Sequence, residues 1–289
     1  MKRYQGGIVL KALNALFFLL LLFVAQPGIA QIKLDFGDDQ YKPVRGQTGK
    51  DVVWIATNDD LVTKMLKTAQ VGPSDLLYDL GAGDGAIAIA AAKDFGARAI
   101  GIEYNPKLAA LAQRNAERAG VADKVKIISG DLFKEDFSKA SVVTLYLLPE
   151  LNLQLRPILL KMKPGTRIVS NTFDMVDWEP DVEIDQPGKA FFWIVPADVA
   201  GVWALEHFDP QLKASLSLSQ RFQHIGGSLT IGDKTQPLLN PRLTGDQLQF
   251  SYIDQDNLLR VVHATINGST MKGGSKGAIT QIDFSGVRR

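Results

Sequence analysis

The sequence predicts an α/β chain: a doubly wound, mainly parallel sheet followed by a small antiparallel β domain. Three observations carry this. Apolar strand-like runs alternate with helical stripes over residues 51–199. From about residue 200 the texture changes to short alternating runs separated by glycine turns. Where the first strand meets its helix stands a glycine turn, Asp79–Gly85, at the place where such sheets hold ligands.

Composition narrows the classes. The 289 residues are 46% hydrophobic and 22% charged, with a net charge of +1. The first thirty residues hold Lys2, Arg3 and Lys11 and no acid, so the remainder carries 29 basic and 31 acidic residues. A near-neutral body has no electrostatic footprint for nucleic acid. Cysteine is absent, which excludes disulfides, zinc–cysteine sites and a thiol nucleophile. Basic residues, the apolar run 13–25 and then Gly28-Ile29-Ala30 before Gln31 make residues 1–30 a signal peptide or an uncleaved N-terminal anchor. Either reading places the body outside the cytoplasm, exported (periplasmic or extracellular) or held at the membrane. Residues 31–50, polar with Gly and Pro, are expected to form a linker or a loosely docked arm.

The elements follow in order. Thr57 is the expected cap of a helix carrying the stripe Leu61, Met65, Leu66 and Ala69, which Gly72-Pro73 ends. Residues 76–80 are a strand, 86–95 a helix ended by Gly96, and 98–103 a strand. Asn105-Pro106 starts a helix that runs to Ala119. Residues 125–129, 142–148 and 167–171 are apolar strands, the last two joined by a helix over 150–162. Strands alternating with helices imply parallel pairing through right-handed crossovers. Residues 200–289 read as antiparallel strands forming a small sandwich or half-barrel.

The turn Asp79-Leu80-Gly81-Ala82-Gly83-Asp84-Gly85 also fits a nicotinamide fingerprint, with Glu103 twenty residues beyond Gly83. The acids oppose that reading. Asp79 precedes the first glycine, Asp84 lies inside the loop, and Asp131 follows the third strand. A cleft rimmed by Asp79, Asp84, Glu103 and Asp131 would repel a pyrophosphate and suits a zwitterionic sulfonium nucleoside.

DLGAGDG, GIEYNP, SGDLF and LKMKPGTRIVS, in this order and spacing, resemble the motifs of the class I, seven-stranded S-adenosylmethionine-dependent methyltransferases over about residues 50–196. The chain is most similar to small bacterial proteins akin to the seven-stranded protein lysine methyltransferases. The resemblance implies a seven-stranded sheet and S-adenosylmethionine as cofactor. It implies that Gly81, Gly83 and Gly85 bring backbone close to the methionyl part, with Asp84 in the same loop, and that Asp79 holds its ammonium group. Glu103 then accepts the ribose hydroxyls and Asp131 the adenine amino group. Thr57 stands in a segment that covers the methionine end, although Ala56 replaces the proline usual there.

The reaction so implied is in-line displacement at the sulfonium methyl, with a protein side chain, lysine first, as acceptor. The cofactor is already activated, so the protein positions the acceptor and sheds its water. A lysine, whose ordinary pKa is about 10.4, must first lose a proton. Tyr146 and Glu150, in LYLLPE, are the nearest groups to assist. LLPE stands where enzymes acting on planar amino groups carry Asn/Asp-Pro-Pro-Tyr, which argues against such substrates. His207, His224 and His263 lack metal-ligand spacing, and Trp178, Trp193 and Trp203 read as core at the domain junction. Two alternatives stay open: a non-catalytic nucleoside- or partner-binding module on this scaffold, and a small-molecule or lipid methyltransferase associated with the membrane through the N-terminal segment.

Overall fold

The computed structural model describes residues 37–50, 53–278 and 280–289. The expected signal or anchor segment lies outside these residues. The helix before the first strand, α1 (Asp59–Thr68), is capped by Asn58, whose side chain accepts from the Leu61 amide at 3.1 Å. The expected cap, Thr57, stands one residue earlier. Both residue types can cap, and the one in register with the Leu61 amide takes the role.

The chain then alternates: β1 (Leu76–Leu80), α2 (Ala86–Phe95), β2 (Arg98–Glu103), α3 (Pro106–Arg118), β3 (Val125–Ser129), β4 (Val142–Leu145), α4 (Pro149–Leu159) and β5 (Arg167–Asn171). β6 (Val182–Ile184) and β7 (Ala190–Ile194) complete a seven-stranded sheet of order β3-β2-β1-β4-β5-β7-β6. β1 to β5 pair in parallel, and β7 is antiparallel to both β5 and β6. The order reverses at β1, between β2 and β4, so the carboxyl end of β1 is the switch point. The helix–strand alternation lapses three times: residues 130–141, the loop 172–181 and residues 185–189 connect strands without an α-helix. The fourth strand ends at Leu145, not at 148, because Pro149 opens α4.

Nine more strands follow: β8 (Gly201–Glu206), β9 (Ala214–Arg221), β10 (His224–Ile231), β11 (Lys234–Pro237), β12 (Leu239–Thr244), β13 (Gln247–Ile253), β14 (Leu259–Asn267), β15 (Thr270–Lys276) and β16 (Gln281–Arg288). They form one antiparallel sheet, ordered β11-β10-β9-β8-β16-β15-β14-β13-β12. Each strand pairs with its neighbours in sequence except across β11 and β12, and the last strand pairs with the first. The opening is bridged: Gln236 holds the Ile253 backbone with Nε2 donating to the carbonyl at 2.8 Å and Oε1 accepting from the amide at 3.0 Å. The β region is thus a curled meander that nearly closes on itself, where a sandwich or half-barrel was expected. Curling removes most exposed edge and gives the inward side chains one interior. Trp203, Leu216, Leu229, Phe250 and Val262 fill it. Both sheets belong to one compact unit.

Candidate active site at the carboxyl end of β1

The floor of the site is a turn laid flat on β2. The Gly81 and Ala82 amides both donate to the Ile102 carbonyl, at 2.9 and 3.0 Å. Gly101 allows this approach, since a Cβ there would stand 2.7 Å from the Ala82 Cβ. Gly83 adopts φ 59°, and a Cβ on it would meet the Trp54 indole nitrogen at 2.9 Å. Bare backbone therefore faces the ligand side of the turn. Gly85 serves differently. It is the left-handed N-cap of α2, and a Cβ on it would press on Ala112 of α3 at 3.2 Å. It does not line the cavity above the turn, and its lack of a side chain lets α2 and α3 pack closely.

Three carboxyls converge on this turn, Asp79 buried and Asp84 and Glu103 partly buried. Asp79, on β1, is 2% exposed and accepts from the Thr144 hydroxyl at 2.7 Å. Burial, with Asp84 and Glu103 nearby, pushes its carboxyl up to about 7. Burial also raises Asp84 and Glu103 above the usual carboxylate range. Glu103 accepts from the Gly83 amide at 3.0 Å through one oxygen and from the Asn105 amide at 2.8 Å through the other. Three acids held this way favour a ligand that brings a cation and hydroxyl donors. Asp131 differs. Lys50 donates to it at 2.9 Å and, with the Phe133 amide, holds its carboxyl below the usual range.

Thr57, Asp79, Gly81, Gly83, Asp84, Glu103, Asp131 and Tyr146 all line one cavity. Glu150 does not: it is exposed in the first turn of α4. Leu151 of the same turn faces the cavity while Glu150 faces solvent. The cavity also takes residues that sequence reasoning passed over. Lys50 comes from the segment expected to be a linker or a loosely docked arm, Trp54 opens the segment that carries Thr57, and Tyr104 directly follows Glu103. Leu147, Leu148 and Phe173 form the far wall. For Tyr104 a signal existed, as an aromatic residue beside Glu103. For Phe173 there was none, because only the fold brings the loop after β5 to this place.

The N-terminal arm is fastened over the site. The Asp38 carboxylate accepts from Arg114 Nε at 2.6 Å and from Arg118 Nη1 at 3.1 Å, both on α3. The Gly46 amide donates to the Trp54 carbonyl at 2.8 Å, and the Trp54 amide to the Gln47 carbonyl at 3.0 Å. Trp54 packs on Leu108 and Leu111 of α3. The Lys50 ammonium lies 5.2 Å from the Tyr104 ring centroid.

Comparison with known proteins agrees with this geometry. Residues 79–182 match the family described as the ANTKMT methyltransferase domain. The chain is 44% identical over 131 residues to a protein-lysine N-methyltransferase of Saccharolobus islandicus (strain REY15A), covering 45% of this chain and 81% of that one. It is 32% identical over 130 residues to the adenine nucleotide translocase lysine N-methyltransferase of Mus musculus, covering 45% of this chain and 56% of that one. A solved RNA methyltransferase from Salinibacter ruber, in complex with S-adenosyl-L-homocysteine, is 49% identical over 50% of this chain and 96% of its own, with a TM-score of 0.49. The match thus spans most of the Saccharolobus relative and little more than half of the mouse one. With its glycine turn, converging acids and β3-β2-β1-β4-β5-β7-β6 sheet, the chain belongs to the class I S-adenosylmethionine-dependent methyltransferases.

Proposed function

We propose that the protein transfers a methyl group to the side-chain amine of a lysine in another protein. The observation that carries this reading is the far wall of the cavity. Beyond the acids, it is lined by Tyr146, Leu147, Leu148, Leu151 and Phe173. An apolar, aromatic-edged passage strips water from an amine and favours its neutral form, which is the nucleophile. The Saccharolobus and mouse relatives named above are lysine methyltransferases, which supports the same acceptor.

The residues divide the work. Asp79 and Glu103 hold the cofactor's ammonium and ribose groups, and the Gly81–Gly83 backbone gives close approach. When bound, S-adenosylmethionine supplies an activated sulfonium methyl. Tyr146 stands at the passage and offers a phenol oxygen that accepts a hydrogen bond from the amine and orients it, while the ammonium's proton is lost to water before the amine is enclosed. Glu150, exposed outside the cavity, has no direct part. Phe173 and Leu151 set the line along which the amine enters, and alignment is the main catalytic lever in such a displacement.

The pattern of residues 1–30 supports a working place outside the cytoplasm, exported or anchored at the membrane. No helix among the described residues is long and apolar enough to cross a membrane.

One experiment tests acceptor and place together. Cells lacking the protein are separated into envelope and cytosol, and each into protein, RNA and lipid. The fractions are incubated with the enzyme and methyl-labelled cofactor. Label is expected in envelope protein and, after acid hydrolysis, in methylated lysine. Label confined to RNA or lipid would overturn the lysine reading, and label only in cytosolic protein would overturn the location.

A further inference from the structure

The loop 172–181 carries Phe173 into the cavity, yet its conformation is not one its own residues prefer. Thr172 has φ 68° and Val176 φ 58°, and β-branched residues seldom hold left-handed backbone unless their surroundings impose it. The surroundings are two elements on either side. From α4, Asn152 Nδ2 donates to the Phe173 and Asp174 carbonyls, each at 3.2 Å. Arg156 donates to the Met175 carbonyl at 2.8 Å and pairs with Asp177.

The other side is the tip of the β9–β10 hairpin. Phe222 stacks on Trp178 with ring centroids 5.9 Å apart and planes at 20°. The Arg156 guanidinium lies 5.6 Å from the same Phe222 ring. Gln223 Nε2 donates to the Glu179 carbonyl at 2.6 Å, and Arg221 reaches Asp177 at 3.4 Å. Phe222 is itself out of place as a turn residue. Arg221 and His224 pair across a two-residue turn, and Phe222 takes its first position with φ 55°, where glycine is usual. The ring is retained against backbone preference, so its packing is what the position serves.

A third observation marks the same seam. Among the described residues, the buried side-chain polar atoms without a hydrogen-bond partner are Asn152 Oδ1, Trp178 Nε1 and Gln223 Oε1. Asn152 and Gln223 grip the loop from opposite sides, and Trp178 belongs to it. Local rules broken together at one place point to function.

We propose that the β9–β10 hairpin of the curled β sheet is a positioning element for the acceptor: Phe222, through Trp178 and Arg156, sets the loop 172–181 and thereby where Phe173 stands beside the incoming amine. This rests on reading the Tyr146–Phe173 passage as the acceptor site. Phe222 touches neither substrate nor cofactor. It acts through the loop, and a small displacement of an aligning wall costs rate without loss of cofactor.

The test compares Phe222→Gly, which keeps the turn and removes the ring, with Phe222→Tyr, which keeps both ring and packing. Amide hydrogen exchange across residues 173–178 is measured without acceptor, cofactor affinity by calorimetry, and methyl transfer with the labelled protein fraction defined above. In the glycine variant, exchange in the loop is expected to rise about tenfold or more. Cofactor Kd should stay within about twofold and kcat/KM fall about tenfold, while the tyrosine variant keeps wild-type values. Should the glycine variant not fold, Phe222→Leu is read by the same criteria. Unchanged loop exchange, or faster exchange with unchanged transfer, overturns the proposal, as does a parallel loss of cofactor binding. If the wild-type protein labels no protein at all, the lysine reading fails, and exchange alone then decides whether the hairpin holds the loop.

Discussion

Burial under the glycine turn, with Asp84 and Glu103 nearby, raises the Asp79 carboxyl to about 7, against the opposing pull of the Thr144 hydroxyl that donates to it. This has two consequences of definite sign. In the cofactor-free protein the folded state keeps the proton that the unfolded chain releases from about pH 4 upward, so stability falls as pH rises from about 4 to 7. A cationic ammonium beside Asp79 favours the ionised form, so cofactor binding releases a proton below neutrality. Cofactor affinity is therefore expected to rise between about pH 5.5 and 7, by up to about tenfold per pH unit. Asp79→Asn should bind weakly and flatten both profiles. Calorimetry and urea titration across this range check the pair, and a wild-type affinity independent of pH would refute the assignment. The acid itself was legible, two residues before the first glycine. Its raised pKa was not, because burial is a property of the assembled sheet.

At the scale of elements, the N-terminal arm shows what sequence pattern misses. Residues 31–50 have no helical or strand period, so they read as a linker or a loosely docked arm. The described part is docked, clasped to α3 by Asp38, with Arg114 and Arg118 as partners 76 and 80 residues away. The arm carries Lys50 to the cavity and leads into Trp54, which also lines it. Asp38→Ala is expected to leave the fold intact and speed cofactor dissociation, raising Kd about three- to tenfold, as loosening of a covering segment does. Stopped-flow fluorescence of Trp54 on cofactor release measures this, and an unchanged off-rate would show the clasp to be irrelevant to retention. The helices and strands from α1 to β5, by contrast, were readable to within a few residues, whereas β6 and β7 were not placed by pattern. Asn105-Pro106, Gly96 and the apolar strand runs are local signals that the sheet then reinforces.

For the whole molecule, the curled β sheet has a core of its own around Trp203, whose indole donates to the Val199 carbonyl at 2.9 Å. Trp203→Ala should destabilise the protein by about 3–5 kcal/mol, as loss of a fully buried aromatic does. Cofactor affinity well below the new Tm should not change, because this core does not line the cavity. Denaturant unfolding and calorimetry together check this, and a large loss of affinity in the folded variant would count against it. The Trp178–Trp193–Phe222 contacts, not the interior of the curled sheet, join it to the catalytic sheet.

The sequence alone determined what depends on neighbours within a few residues. The alternation of strands and helices, the glycine turn, the acids at Asp79, Asp84, Glu103 and Asp131, and the change to antiparallel texture near residue 200 all belong here, since periodicity and turn chemistry are local. Tertiary structure decided the rest. It turned Gly85 to α3 and Glu150 to solvent, and it brought Lys50, Trp54, Tyr104 and Phe173 to one cavity. It also curled nine strands into a single sheet and set Phe222 against the loop after β5. These depend on contacts between residues tens of positions apart. Which of the many such pairings forms is chosen by burial and closure of the whole chain, a choice no short stretch of sequence records.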